Sequence, residues 1–161
     1  LLVSPLKPAT IMFAKAVPYL AVAFLDVILV LILAYFVFNV PIAGSIFLIL
    51  LMSFIYTFSA LALGLLISTI TQTQQTAMIA SGVGLMLPSM LLSGLLFPVS
   101  RMPAILQWIS YIIPTRWFIE ALRDIMIKGL GFGAIWKQFL VLLVMAVLLM
   151  GFSIRKFKNR L

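Results

Sequence analysis

The sequence predicts an all-α, polytopic integral membrane protein with four transmembrane helices and two short re-entrant or interfacial helices before the last span. Three observations predict it. Of the 161 residues, 65% are hydrophobic and 9% charged, whereas a soluble domain is about half apolar and about a quarter charged. A surface that apolar cannot be hidden from water by one small domain. The apolar residues also fall into blocks of about 20, the length that crosses a hydrocarbon core about 30 Å thick. Finally, Lys and Arg sit beside those blocks rather than forming a solvated basic domain, so the formal charge of +8 reads as membrane-flanking charge and not as a nucleic-acid surface.

The first block, 17–38, is interrupted only by Asp26 and is span one. Asn39 to Gly44, with Pro41, is a turn of helix-breaking residues. Span two, 45–67, carries Ser53, Thr57, Ser59 and Gly64, small or hydroxylated residues that let helices approach closely in lipid. Ser68 to Thr76 is a polar, uncharged connection. Span three, 77–97, contains Pro88, which removes a backbone donor and should kink it. Span four, 134–154, runs into Arg155-Lys156-Phe157-Lys158-Asn159-Arg160.

The stretch 98–133, divided by Pro98, Pro103 and Pro114, is expected to hold two short helices, Ala104–Ile113 and Thr115–Lys128. The second is amphipathic: Arg116, Glu120, Arg123, Asp124 and Lys128 recur at three- and four-residue spacings, with Phe118, Leu122 and Ile125 on another face. Arg116–Glu120 and Asp124–Lys128 are spaced to pair along it. Five ionisable groups make a fifth crossing costly, so the segment is expected to dip into or lie on the membrane surface. Four spans put both ends on one side, and Lys7, Lys15, Arg155, Lys156, Lys158 and Arg160 make that side the cytoplasm of a plasma (inner) membrane.

With no Cys and no His, these residues hold no thiol nucleophile, imidazole base or Cys/His metal cluster, and three acids leave little for carboxylate catalysis. No catalytic, metal or cofactor-binding residue is assigned. No phosphate-loop signature G-x-x-x-x-G-K-[ST] occurs, so ATP, if used, is expected to be hydrolysed by a partner chain.

A resemblance runs through the whole chain. Its residues are Leu2-Val3-Ser4-Pro5-Leu6-Lys7-Pro8; Leu63-Gly64-Leu65-Leu66-Ile67-Ser68-Thr69; Thr73-Gln74-Gln75-Thr76-Ala77; Pro88-Ser89-Met90-Leu91-Leu92-Ser93-Gly94; Phe97-Pro98; Met102-Pro103; Pro114; and Phe118-Ile119-Glu120 with Arg123. In order and spacing they resemble the permease subunit of ABC-2 type transporters, export-type membrane components that pair with a separate ATP-binding protein. The resemblance implies six spans in a full subunit, of which these 161 residues look like the last four, with the upstream part missing; a start at Leu1 without Met is read the same way. It implies that 1–16 belongs to a cytoplasmic docking segment, with Leu2, Ser4, Pro5, Leu6 and Lys7 coupling to the ATPase. It also implies an external re-entrant pair at 98–133, and a homodimer or paired permeases embedded in membrane lipid.

Some residues keep two readings. Asp26, alone in span one, is either a polar group of the translocation path, including a proton relay, or a hydrogen-bonded acid that joins helices. Glu120 and Arg123 either close an external gate by ion pairs or form a solvated helix face. Pro88 is the expected bend of the path. Gln72, Gln74 and Gln75 touch the ATPase or simply keep helix ends wet. Trp108, Tyr111 and Trp117 fit an aromatic belt. The reading is therefore an ATP-driven export permease, with a proton-coupled secondary transporter through Asp26 or a non-transporting scaffold as alternatives.

Overall fold

The computed structural model describes residues 8–158, with side chains from 10 to 157, and among these every regular element is helical. Helix α1 covers Pro8–Phe36. Pro18 lies inside the helix without ending it, and the helix already includes residues 8–16, ahead of the span expected from 17. Its other end is closed by Asn39 in the left-handed region, φ 49, with the Val40 N–H reaching back to the Ala34 carbonyl at 3.0 Å. Asn tolerates that conformation better than any β-branched neighbour.

Helix α2, Ile46–Ile70, is the centre of the bundle. Its buried side carries Ile49, Met52 and Ile55 together with the small Ser59 and Ala62, a helical repeat that points one face at its neighbours. The long last helix α7, Phe132–Lys158, answers with Ile135, Leu142 and Ala146. Small residues at Ser59, Ala62 and Ala146 are what close helix packing in lipid requires.

The third crossing is composite: α3, Gln74–Ser81, a π turn over Gly82–Met86, and α4, Leu87–Leu92. Thr73 caps α3, its hydroxyl accepting from the Thr76 N–H at 3.2 Å while the Thr76 hydroxyl accepts from the Thr73 N–H at 3.3 Å. The π turn sits directly ahead of Pro88 and is closed by the Leu87 N–H donating to the Gly82 carbonyl. The bend expected at Pro88 thus takes the form of a widened turn that absorbs the missing donor. The crossing stops at Leu92, earlier than position 97, because Gly94 turns the chain at φ 83, a conformation open to glycine.

Among the described residues, four helices are long and apolar enough to cross a membrane: Thr10–Phe36, Ile46–Ile70, Gln74–Leu92 and Phe132–Phe157. After a short 3-10 turn at Val99–Arg101, α5, Ala104–Ser110, and α6, Pro114–Met126, form a hairpin before α7.

Candidate functional site, a re-entrant hairpin and the cavity at its tip

The depth of the hairpin follows from what each end of α6 touches. Its last turn sits at the α1–α2 turn: the Ala43 N–H donates to the Met126 carbonyl at 3.0 Å, and a Cβ on Gly44 would come 2.5 Å from the Ile125 carbonyl oxygen. Its first turn meets α2 well inside the bundle, where the Tyr56 and Thr115 hydroxyls are hydrogen-bonded at 3.1 Å and the Tyr56 and Phe118 rings stack 4.3 Å apart. Tyr56 lies ten residues into α2, about 15 Å at a rise of 1.5 Å per residue. That is half of a bilayer core about 30 Å thick. The tip of the hairpin is therefore level with the middle of α2.

The tip is stapled by its own polar groups. Arg116 Nη1–H donates to the Gln107 carbonyl at 3.3 Å and to Ser110 Oγ, and the guanidinium lies 3.9 Å from the Tyr111 ring centroid. Ser110 donates to the Gln107 carbonyl at 2.7 Å, and the Trp117 indole N–H to the Tyr111 carbonyl at 3.0 Å. These contacts satisfy a cation that would otherwise be costly at this depth, and a flat guanidinium on an aromatic face is favourable there. They also explain why the expected Arg116–Glu120 pair does not form: Arg116 turns back to α5 and away from Glu120. Asp124–Lys128 does form, at 2.6 Å.

Below the tip lies a cavity of about 700 Å³. Tyr56, Ala60 and Leu63 of α2, Gly84, Met86 and Pro88 of the bent crossing, Ile112–Thr115 of the tip, and Met145, Leu148 and Phe152 of α7 surround it. Its wall is almost wholly apolar, relieved by the hydroxyls of Ser81, Ser89, Ser93, Thr115 and Tyr56. A cavity of this size and lining takes an apolar molecule or an acyl chain and orients it with few hydrogen bonds.

Of the residues singled out in the sequence, Pro88 lines this cavity. Arg123 Nη2–H donates to the Gly94 carbonyl at 2.7 Å, tying α6 to the turn that ends the third crossing. Glu120 shares its side of α6 and is exposed. Asp26 is on the exposed side of α1, apart from the cavity. Gln72, Gln74 and Gln75 are exposed at the α2–α3 turn. Leu2, Ser4, Pro5, Leu6 and Lys7 lie outside the described residues. The sequence reading missed Tyr56, Thr115, Gln107 and Ser110, uncharged groups: Thr115 stands beside Pro114, Tyr56 within an apolar span, and Gln107 and Ser110 within α5.

Spanning helices around a mid-depth cavity, with a helical hairpin inserted from one side, make the architecture of a membrane permease. Residues 1–127 match the family described as ABC-2 type transporter, and the chain belongs to that family. It is 32% identical over its full length to the probable multidrug ABC transporter permease YbhS of Escherichia coli, covering 43% of that protein. Over 144 residues, 89% of the chain, it is 40% identical to the probable multidrug ABC transporter permease YbhR of the same organism, covering 39% of it. With the ABC transporter G family member 20 of Dictyostelium discoideum it shares 33% identity over 85% of its residues and 19% of the relative. The chain thus spans about two-fifths of the bacterial relatives it matches. No solved structure matches it. It is a multi-pass membrane portion of an ABC-2 type permease.

Proposed function

We propose that the chain forms the translocation path of an ATP-driven exporter, as a dimer of permeases powered by a separate ATPase subunit. The observation that supports this most is the mid-depth cavity roofed by the re-entrant tip, in a chain whose bacterial relatives are named as probable multidrug permeases. An apolar wall with scattered hydroxyls suits amphiphilic or hydrophobic cargo. In this reading the α1–α2 turn and the hairpin face the outside and both ends face the cytoplasm. Leu2, Ser4, Pro5, Leu6 and Lys7 couple to the ATPase, and Pro88, Glu120 and Arg123 act at the path or its outer gate.

The test is reconstitution of the complete permease with its ATPase in vesicles and measurement of ATP-dependent export of a fluorescent amphiphile. Replacing Leu6 and Lys7 by Ala is expected to abolish ATPase stimulation and export while insertion is unchanged; unchanged export would remove the coupling role. Asp26→Asn, which keeps hydrogen bonding without a titrating charge, is expected to retain export driven by ATP. Loss of all export in that variant with ATP saturating would instead favour proton coupling through Asp26.

A further inference from the structure

The polar part of the cavity wall is concentrated on the third crossing. Of the hydroxyls around the cavity, those of Tyr56 and Thr115 bond each other at 3.1 Å, and Ser93 Oγ accepts from the Leu95 N–H at 3.4 Å. That leaves the wall formed by Ser81, Gly84, Pro88 and Ser89, which follow one another at helical spacing on one element. Gly84 has no side chain, so what it contributes to the wall is backbone. A Cβ added to it would meet no atom within 4 Å, so the space beside it is open.

The backbone is short of a donor at this point. In an α-helix the Gly84 carbonyl would accept from residue 88, and Pro88 has no N–H to give. The preceding N–H does not substitute for it, because Leu87 donates to the Gly82 carbonyl, five residues back. Inside a bilayer a carbonyl freed in this way draws its donor from whatever polar group lies against it, and π turns recur at functional sites. Among the described residues around the cavity there is no Asp, Glu, Lys or Arg. A charged ligand would therefore lie in an apolar space without a counter-ion, which is costly. Met145, Leu148 and Phe152 of α7 supply an apolar wall. Resting on the permease reading, we propose that the cavity takes an uncharged amphiphile whose hydroxyl or amide N–H bonds the Gly84 carbonyl, beside Ser81 and Ser89. The apolar body of the ligand lies against α7. Pro88 is then a specificity-determining residue, since its missing N–H keeps the acceptor open.

The complete permease in lipid nanodiscs is photolabelled with a diazirine-bearing dodecanol, with its O-methyl ether and with the matching alkyltrimethylammonium, and the labelled peptides are mapped by mass spectrometry. The alcohol is expected to label residues 84–90 and 145–152 about fivefold more than the ether, which cannot donate, the worth of one ordinary hydrogen bond. The ammonium is expected to label them least. Gly84→Leu puts a side chain into open space and is expected to suppress labelling of both segments without lowering the melting temperature. Pro88→Ala returns an N–H to the Gly84 carbonyl and is expected to bring alcohol and ether to equal labelling. Equal labelling by alcohol and ether in the unsubstituted protein overturns the proposal, as does labelling that survives Gly84→Leu or an alcohol preference that survives Pro88→Ala. ATP-dependent export by the complete permease with its ATPase is read separately. Export without the alcohol preference rejects the acceptor site alone, and the alcohol preference without export rejects the permease reading alone.

Discussion

Gly44 is the residue on which the hairpin's seat depends most directly. A side-chain carbon there meets the Ile125 carbonyl oxygen at 2.5 Å and the Ile125 side chain at 2.8 Å. The oxygen is backbone and cannot swing aside, so Gly44→Ala is expected to destabilise the permease by about 1–3 kcal/mol, the usual cost of overpacking. Thermal unfolding of the purified protein measures it, and an unchanged melting temperature would show that the last turn of α6 is not seated there. At the other end of α6, Tyr56→Phe and Thr115→Val each remove one partner of a single hydrogen bond. A double-mutant cycle is expected to give a coupling of about 0.6 kcal/mol, the average for such bonds between membrane helices. Ser59 and Ser153 are buried with hydroxyls that have no partner among the described residues. Ala at either position is expected to be neutral or slightly stabilising, since the polar group is removed and no bond is lost.

Among the elements, the crossing built from α3, the π turn and α4 separates what pattern reveals from what it hides. The apolar block showed that a crossing exists, and Pro88 marked where its hydrogen bonding fails, because both are local properties of the chain. Whether the defect becomes a sharp kink or a widened turn depends on backbone geometry over five residues, Gly82–Met86, and no residue type encodes that choice by itself. The hairpin divides the same way. Prolines and the charge spacing located α5 and α6, and the Asp124–Lys128 pair was readable because it is local. Arg116 left Glu120 for carbonyl and hydroxyl partners six and nine residues back, contacts that exist only once α5 folds against α6. The cavity was not legible at all, since it is assembled from four segments far apart in sequence. These contacts differ in energetic weight too. Lys128 is 62% exposed, so Lys128→Ala should change stability by less than about 1 kcal/mol. Gly94→Ala forces a side chain into φ 83 and is expected to cost about 1–2 kcal/mol, while displacing the carbonyl that holds Arg123.

For the whole molecule, the deciding property is which side of the membrane each end occupies. Lys15, Arg155 and Lys156 gather at one end of the bundle and the hairpin enters from the other. With both ends in the cytoplasm, as proposed, the hairpin faces outside. Geometry and charge are independent here: the hairpin's depth rests on neutral contacts at Tyr56 and Gly44, while orientation rests on cations at the opposite end. The prediction is that Gly131→Cys, in the exposed connection between α6 and α7, reacts with an impermeant thiol reagent added to intact cells. Gln72→Cys, at the α2–α3 turn, is expected to react only after the membrane is opened. The reverse pattern would invert the bundle, turn the cavity's roof toward the cytoplasm and leave the hairpin unable to gate an outward exit. Labelling of both positions from outside would mean that α2, the helix against which everything else packs, does not cross the membrane.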